Sequence, residues 1–230
     1  TAPDYKHNSK LYTSFYNTLS SQNKEVTYPE VGQEYEFGEG SFTVLGPTQI
    51  RDDSNNNSVV VRLDYGDTSF LFTGDAESKE EKDIIAANED LYCDVLSVGH
   101  HGSASSTSWD FLEAVLPEYA VISCGVNNSY GHPDPDTIEK LESIEAQIFR
   151  TDLQGNIIAI SDGETITWNN VPSNGEVLYA ADFVSVKEEP NDTSSTVGEL
   201  GPGNQIQVLN RNDNDWATIV FNGATTYIQS

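Results

Sequence analysis

Asp94-Val-Leu-Ser-Val-Gly-His-His-Gly-Ser103 is the stretch whose reading decides the fold. An apolar run ends in a glycine and two adjacent histidines, the pattern of a buried β-strand stopping at a polar loop. Phe70-Leu-Phe-Thr-Gly-Asp75 is built the same way and ends in a carboxylate. Parallel strands collect their C-terminal ends along one sheet edge, where ligands bind. Asp75 and His101 are therefore expected to meet at one cation, which an oxygen and an imidazole nitrogen suit chemically. Taken singly, each residue has a plainer role: Asp75 suits a helix N-cap, and histidines before Gly102-Ser103 suit a tight turn. The pair of strand ends, in a chain with four histidines, favours a shared site.

Outward from these strands the texture alternates. Ser9 to Leu19 has Leu11, Phe15 and Leu19 at helical spacing. Ser41 to Leu45 alternates as a strand, Asp52 to Asn57 is a turn cluster, and 58–64 and 68–73 flank Tyr65-Gly66-Asp67 as a hairpin. Ala76 to Glu89 reads as a charged helix with Ile84, Ile85 and Ala87 inside. Ser108 to Leu116 reads as a helix with a capping-box start at Thr107 and Asp110 and Pro117 as its stop. Tyr119 to Gly125 is a strand, and Asp134-Pro135 opens a helix that turns Ile138, Leu141 and Ile144 inward. Strands at 147–151, 156–160 and 165–168 follow, with Asp152 as hairpin-turn chemistry between the first two. Pro172 to Gly175 reads as a linker, and beyond it turn signals at 198–203, 210–215 and 222–223 separate short strands of a small β-barrel. The fold class is α/β, a layered sandwich with a small all-β module after it.

The chain of 230 residues carries 37 acidic against 11 basic residues, a net charge of −26. Such a surface repels nucleic acid and anionic membranes, since affinity for phosphate backbones comes mainly from Lys and Arg. A phosphate-bearing substrate would need a local metal to offset the field. No stretch approaches the ~18 apolar residues that span a bilayer. Cys93 and Cys124 form no Cys-x-x-Cys motif and read as free thiols. The absence of methionine makes Thr1 the start of a trimmed or partial chain rather than of translation. His132, in Asn128-Ser-Tyr-Gly-His-Pro133, is either a turn residue or a third contributor to the site, and His7 reads as solvated. Ser103, Ser105 and Ser106 lack the Gly-x-Ser-x-Gly elbow of a serine hydrolase.

Asn57-Ser-Val-Val-Val61, 70–75, 94–103, 128–133 and Arg150-Thr-Asp-Leu-Gln-Gly155 together resemble the metallo-β-lactamase superfamily, and within it the ComEC-type competence proteins and their secreted relatives. The resemblance implies an αββα sandwich over 1–170 that lacks its N-terminal metal-motif segment, His-x-His-x-Asp-His. It implies Asp75 and His101 as metal ligands, and Asp75, His100 and His132 as catalytic, with His100 near the substrate's phosphate or leaving group. The cofactor it implies is a divalent metal, zinc or manganese, bound weakly by so incomplete a shell. Val44-Leu-Gly-Pro47 departs from the Val-Leu-His-Pro of relatives, so one metal is expected to lose a ligand. Residues 184–190, 197–203, 216–223 and 227–230 resemble a bacterial SH3 module, placed at 175–230, which implies a cell-wall peptide or glycan as partner, with Trp216 and Tyr227 as groove candidates.

Three functions follow as expectations. The first is a metal-dependent hydrolase of phosphodiesters or related esters, outside the cell or at its surface. The second is a non-catalytic wall-binding or scaffold protein on a degenerate hydrolase fold. The third is a DNA-uptake nuclease, against which the charge argues. A sandwich without one edge would expose apolar strand surface, so the missing segment or self-association is expected to cover it.

Overall fold

The computed structural model describes residues 6–88, 90–170, 172–174, 176–211, 216–222 and 224–229. Seven strands form one sheet in chain order: β1 (Glu34–Phe37), β2 (Gly40–Gly46), β3 (Val60–Tyr65), β4 (Thr68–Phe72), β5 (Val95–Ser97), β6 (Tyr119–Ile122) and β7 (Gln147–Arg150). β1 to β4 pair antiparallel, with tight turns between β1 and β2 and between β3 and β4 and the loop 47–59 between β2 and β3. β4 to β7 pair parallel, which demands crossovers. Helices supply them: α2 (Ser78–Ala87), α3 (Trp109–Val115) and α4 (Pro135–Ser143) follow α1 (Lys10–Ser21), and a single turn, α5 (Thr151–Gln154), closes the series.

Alternation along the strands makes two apolar faces. Leu71, Leu96, Ala120, Ile122 and Ile148 face the helices and pack with Ile84, Phe111, Leu112, Val115 and Leu141. Phe70, Phe72, Val95 and Val121 face the other way and line an apolar hollow of about 610 Å³. This hollow is roofed in part by the hairpin of β8 (Ala159–Ser161) and β9 (Ile166–Trp168), whose Trp168 stacks on Phe149 at 4.1 Å. Gly66 (φ +58°) lets the β3–β4 turn meet the β8–β9 turn, where the Asp67 N–H donates to the Gly163 carbonyl at 2.6 Å. A Cβ on Gly66 would lie 2.2 Å from that oxygen.

The remaining strands, β10 (Glu176–Tyr179), β11 (Val184–Lys187), β12 (Thr196–Leu200), β13 (Gln205–Arg211), β14 (Trp216–Phe221) and β15 (Ala224–Gln229), make an antiparallel sheet in the order β10-β13-β14-β15-β11-β12. It has its own core of Val186, Ile206, Val208, Ala217, Ile219 and Ile228. Among the described residues no helix is long and apolar enough to cross a membrane.

Several expectations need correction. Helix α1 forms, but Leu11 is 82 % and Phe15 51 % exposed, so the apolar spacing does not dock it on the core. In α2 Ala87 is exposed, and the buried face is Glu80, Glu81 and Ile84. Ser108, not Thr107, caps α3, accepting the Phe111 N–H, while Thr107 has φ +56°. Asp152 stands in the helical turn α5, paired with Arg150 through two hydrogen bonds of 2.7 and 3.1 Å, rather than in a hairpin turn. In the 172–175 stretch the Asn174 side chain clamps the Ile148 N–H and the Ala146 carbonyl, so the stretch is anchored to the large sheet at its start; Gly175 lies outside the described residues. Gly198 is inside β12, because a Cβ there would meet the Phe221 ring at 2.3 Å, and the turn falls after it at 201–204. Of the turn signals at 210–215 and 222–223, Asn210 and Arg211 close β13, Asn222 follows β14, and 212–215 and Gly223 lie outside the described residues.

The acids of α2 tie the helix layer to the loops around the strand ends. Glu81 accepts from the Thr107 and Ser108 N–H groups. Glu80 is 1 % exposed, accepts the Ser58 N–H at 3.2 Å, and leaves its Oε1 without a partner. Burial pushes its carboxyl up to about 8, and burial raises Glu81 as well. A raised carboxyl favours the folded state most fully below its unfolded value of 4.5, and that contribution is lost as pH rises toward 8. Urea unfolding should therefore show stability falling between about pH 5 and 8, by up to ~1.4 kcal/mol per pH unit from Glu80. Glu80→Gln should flatten the profile; an unchanged slope in that variant would contradict this account.

Candidate metal centre

Each parallel strand hands its chain to a strained or capped turn at the same edge. Gly74, after β4, has φ +55° and its carbonyl accepts the His100 N–H at 2.9 Å. Asp75 follows, its N–H donated to Ser58 Oγ at 3.1 Å. After β5, His100 (φ 49°) and His101 (φ 58°) both take left-handed backbone. That conformation costs roughly 1–2 kcal/mol per non-glycine residue, and it persists only where the surroundings hold it. Here Gly74 holds one side and Gly102 the other. Gly102 (φ +82°) is wedged under Pro133, where a Cβ would fall 2.7 Å from the proline Cβ, and its carbonyl accepts the Asp134 N–H.

The turn directs two imidazoles differently. His101 Nδ1 lies 2.6 Å from the Ser123 carbonyl, which accepts only, so Nδ1 carries the proton. The other nitrogen, Nε2, then stands 3.8 Å from Asp75 Oδ1. This exceeds a hydrogen bond and approaches the ~3–3.5 Å between two donors on one cation. An imidazole whose far N–H is fixed on a carbonyl is also the usual arrangement of a metal-bound histidine. The two residues thus fit one side of a metal shell, with side chains about half exposed to a cleft. Among the described residues no group of three or more His, Cys, Asp or Glu gathers at one point, so the pair is a partial shell.

The cleft beside it, about 310 Å³, is lined by His101, Ser123, Cys124, Asn128, Tyr130 and His132. His132 reaches this edge, its ring 5.7 Å from that of His100 and stacked on Tyr130. Asn128 staples its loop, accepting the His132 N–H and donating to the His132 carbonyl. Burial, helped by Asp152, pushes the Cys124 thiol up to about 11, so it lines the cleft as a neutral thiol; both cysteines are free. His7 is exposed ahead of α1 and lines no part of the cleft.

Asp75, His100, His101 and His132 are thus brought to one edge. A Cβ at Gly46 would lie 3.1 Å from both Glu80 and Ile84 of α2, so the glycine bears on how α2 packs. Sequence reasoning missed Glu77, Ser58, Asn56 and Ser123. Only Glu77 carried a signal, standing two residues after Asp75; the others act through backbone or amide groups.

A model of the metallo-beta-lactamase superfamily matches residues 2–126, and the chain belongs to that superfamily. Its similarity to curated proteins narrows the branch. It is 38 % identical to ComE operon protein 3 of Bacillus subtilis (strain 168) over 117 residues, 50 % of this chain and 15 % of that protein. It is 38 % identical to Competence protein ComA of Neisseria gonorrhoeae over 125 residues, 54 % of this chain and 18 % of that protein. Recombination protein 2 of Haemophilus influenzae is 36 % identical over 133 residues, 57 % of this chain and 16 % of that protein. The chain spans less than a fifth of the length of the relatives it matches.

Zinc or manganese titrated into the chain should shift the His101 imidazole resonances and leave those of His7 in place. Binding should be weak, saturating only at high micromolar metal or above, and Asp75→Ala should abolish the His101 shift. A His101 shift that survives Asp75→Ala would remove Asp75 from the shell, and a shift at His7 alone would place the metal elsewhere.

Proposed function

We propose that the chain belongs to a metal-dependent hydrolase of phosphodiesters or related esters. The observation supporting this most is the Asp75–His101 pair at 3.8 Å, with His101 Nδ1 engaged by Ser123 and Nε2 facing the acid. A divalent ion, zinc or manganese, when bound by Asp75 and His101 would supply an acidic water and positive charge beside the phosphorus. The rest falls to the chain's own groups. His100 faces the same edge, where its Nε2 would accept a proton from the attacking water and, as imidazolium, return it to the leaving oxygen. His132 and Tyr130 wall the cleft and would orient the organic part of the ester.

A nucleic acid is the second reading of the substrate. Similarity to proteins named for competence and recombination favours it, and a net charge of −26 opposes tight binding without metal. An extracellular or cell-surface setting is proposed from the same acidity and from the antiparallel sheet over 176–229, which we take as an SH3-like module for wall peptide or glycan. There Trp216 is only 6 % exposed and belongs to the packed interior rather than to a groove.

Bis(p-nitrophenyl) phosphate with zinc or manganese tests the hydrolase. Turnover should require metal, vanish in His101→Ala, and fall ~10²–10⁴-fold in kcat in His100→Ala with metal binding kept. Metal binding without turnover, or no binding at all, would favour the non-catalytic scaffold instead. Co-sedimentation with purified peptidoglycan tests the module: the chain should pellet with the wall, and protein left in the supernatant at every ratio would overturn that assignment.

A further inference from the structure

A second carboxylate–imidazole contact lies beside the first, and the hydrolase reading does not use its acid. Glu77 Oε1 stands 3.4 Å from His100 Nδ1, with both side chains about three-quarters shielded. Four groups converge on this acid. Oε1 accepts from Asn55 Nδ2 at 3.2 Å and from Ser105 Oγ at 3.1 Å, and Oε2 accepts from Asn56 Nδ2 at 3.1 Å. Asn56 is itself 1 % exposed, and its Oδ1 takes the Glu80 N–H, so the acid is held by a part of the loop that the core fixes.

Proton counting decides what reaches His100. Ser105 Oγ also lies 3.4 Å from His100 Nδ1, but its one proton goes to the Glu77 carboxylate, the strongest acceptor beside it, while Ser103 Oγ at 3.0 Å can donate to it, so toward the ring it accepts. Glu77 as a carboxylate accepts only. Both neighbours of Nδ1 are therefore acceptors, and Nδ1 must hold the hydrogen. His100 Nε2 is left as the lone-pair nitrogen, with the His132 ring 5.7 Å from the His100 ring.

We infer that Glu77 is a positioning residue that locks His100 as its Nδ1–H tautomer, leaving Nε2 as the nitrogen with the lone pair. It does for His100 what the Ser123 carbonyl does for His101, so both strained histidines carry their hydrogen on Nδ1. The consequence for catalysis rests on the hydrolase reading above; the tautomer does not. Asn55 and Asn56, which read as part of a turn in sequence, are in this account the support of Glu77.

Long-range proton–nitrogen correlation of the ¹⁵N-histidine-labelled full chain, at a pH where the rings are neutral, tests this directly. His100 should give the Nδ1–H pattern in the native chain, keep it in Glu77→Gln, which retains an acceptor oxygen, and become a tautomer mixture in Glu77→Ala. His101 should stay Nδ1–H in both variants, which certifies the fold. An Nε2–H pattern at native His100, or no change in Glu77→Ala with His101 intact, would overturn the inference. The phosphodiester assay separates the two claims. A tautomer lock with no turnover in the native chain would sink the hydrolase reading and leave Glu77 in place. Turnover unaffected by Glu77→Ala would sink the catalytic consequence of the lock.

Discussion

The register of three parallel strands governs what this chain can do. Phe72 pairs with Ser97, and Ser97 with Val121, so β4, β5 and β6 end level with one another. From those level ends Asp75 lies three residues on, His100 three residues on and Ser123 two. A slip of one residue in β5 would exchange its helix face for the hollow face, burying Val95 where Leu96 belongs. It would also carry the histidines off the edge. The apolar alternation that stabilises the core and the convergence of the polar residues thus depend on the same hydrogen bonds.

Around that edge the polar groups are held from behind by the helix layer. Glu81 secures the start of α3 through backbone N–H groups, Glu80 secures Ser58, and Ser58 secures Asp75. Asn56 links Glu80 to Glu77, and Glu77 links to His100. Burying two acids under a sheet opposes stability at neutral pH and above, since each is easier to keep protonated inside than out. In return the turns that carry Asp75, His100 and His101 are fixed in backbone conformations that they would not hold alone.

Much of this was legible in the sequence because it rests on periodicity. The strands around 70–75 and 94–99, the proline-started helix at 135 and the convergence of Asp75 with His101 follow from alternation and from strand ends in a parallel sheet. The failures share a different cause. Leu11 and Phe15 have helical spacing, yet spacing does not say whether anything lies opposite, and here they stay in solvent. Glu80 and Glu81 look like a solvated charged face, because sequence does not reveal the Ser58, Thr107 and Ser108 N–H groups that receive them. Gly46 gives no sign in sequence that it stands against Glu80 and Ile84 of α2. Asn55 and Asn56 look like part of a turn, and only the folded chain reveals that their amides grip Glu77.

The central claim is that Asp75 and His101 are gathered to hold one cation. Anomalous scattering at the zinc edge, from crystals of the chain grown with zinc, tests it most directly. A peak between Asp75 Oδ1 and His101 Nε2, with Ser123 still engaged by His101 Nδ1, is the result this account predicts. Asp75 and His101 turned away from each other, with zinc bound elsewhere on the acidic surface, would contradict it.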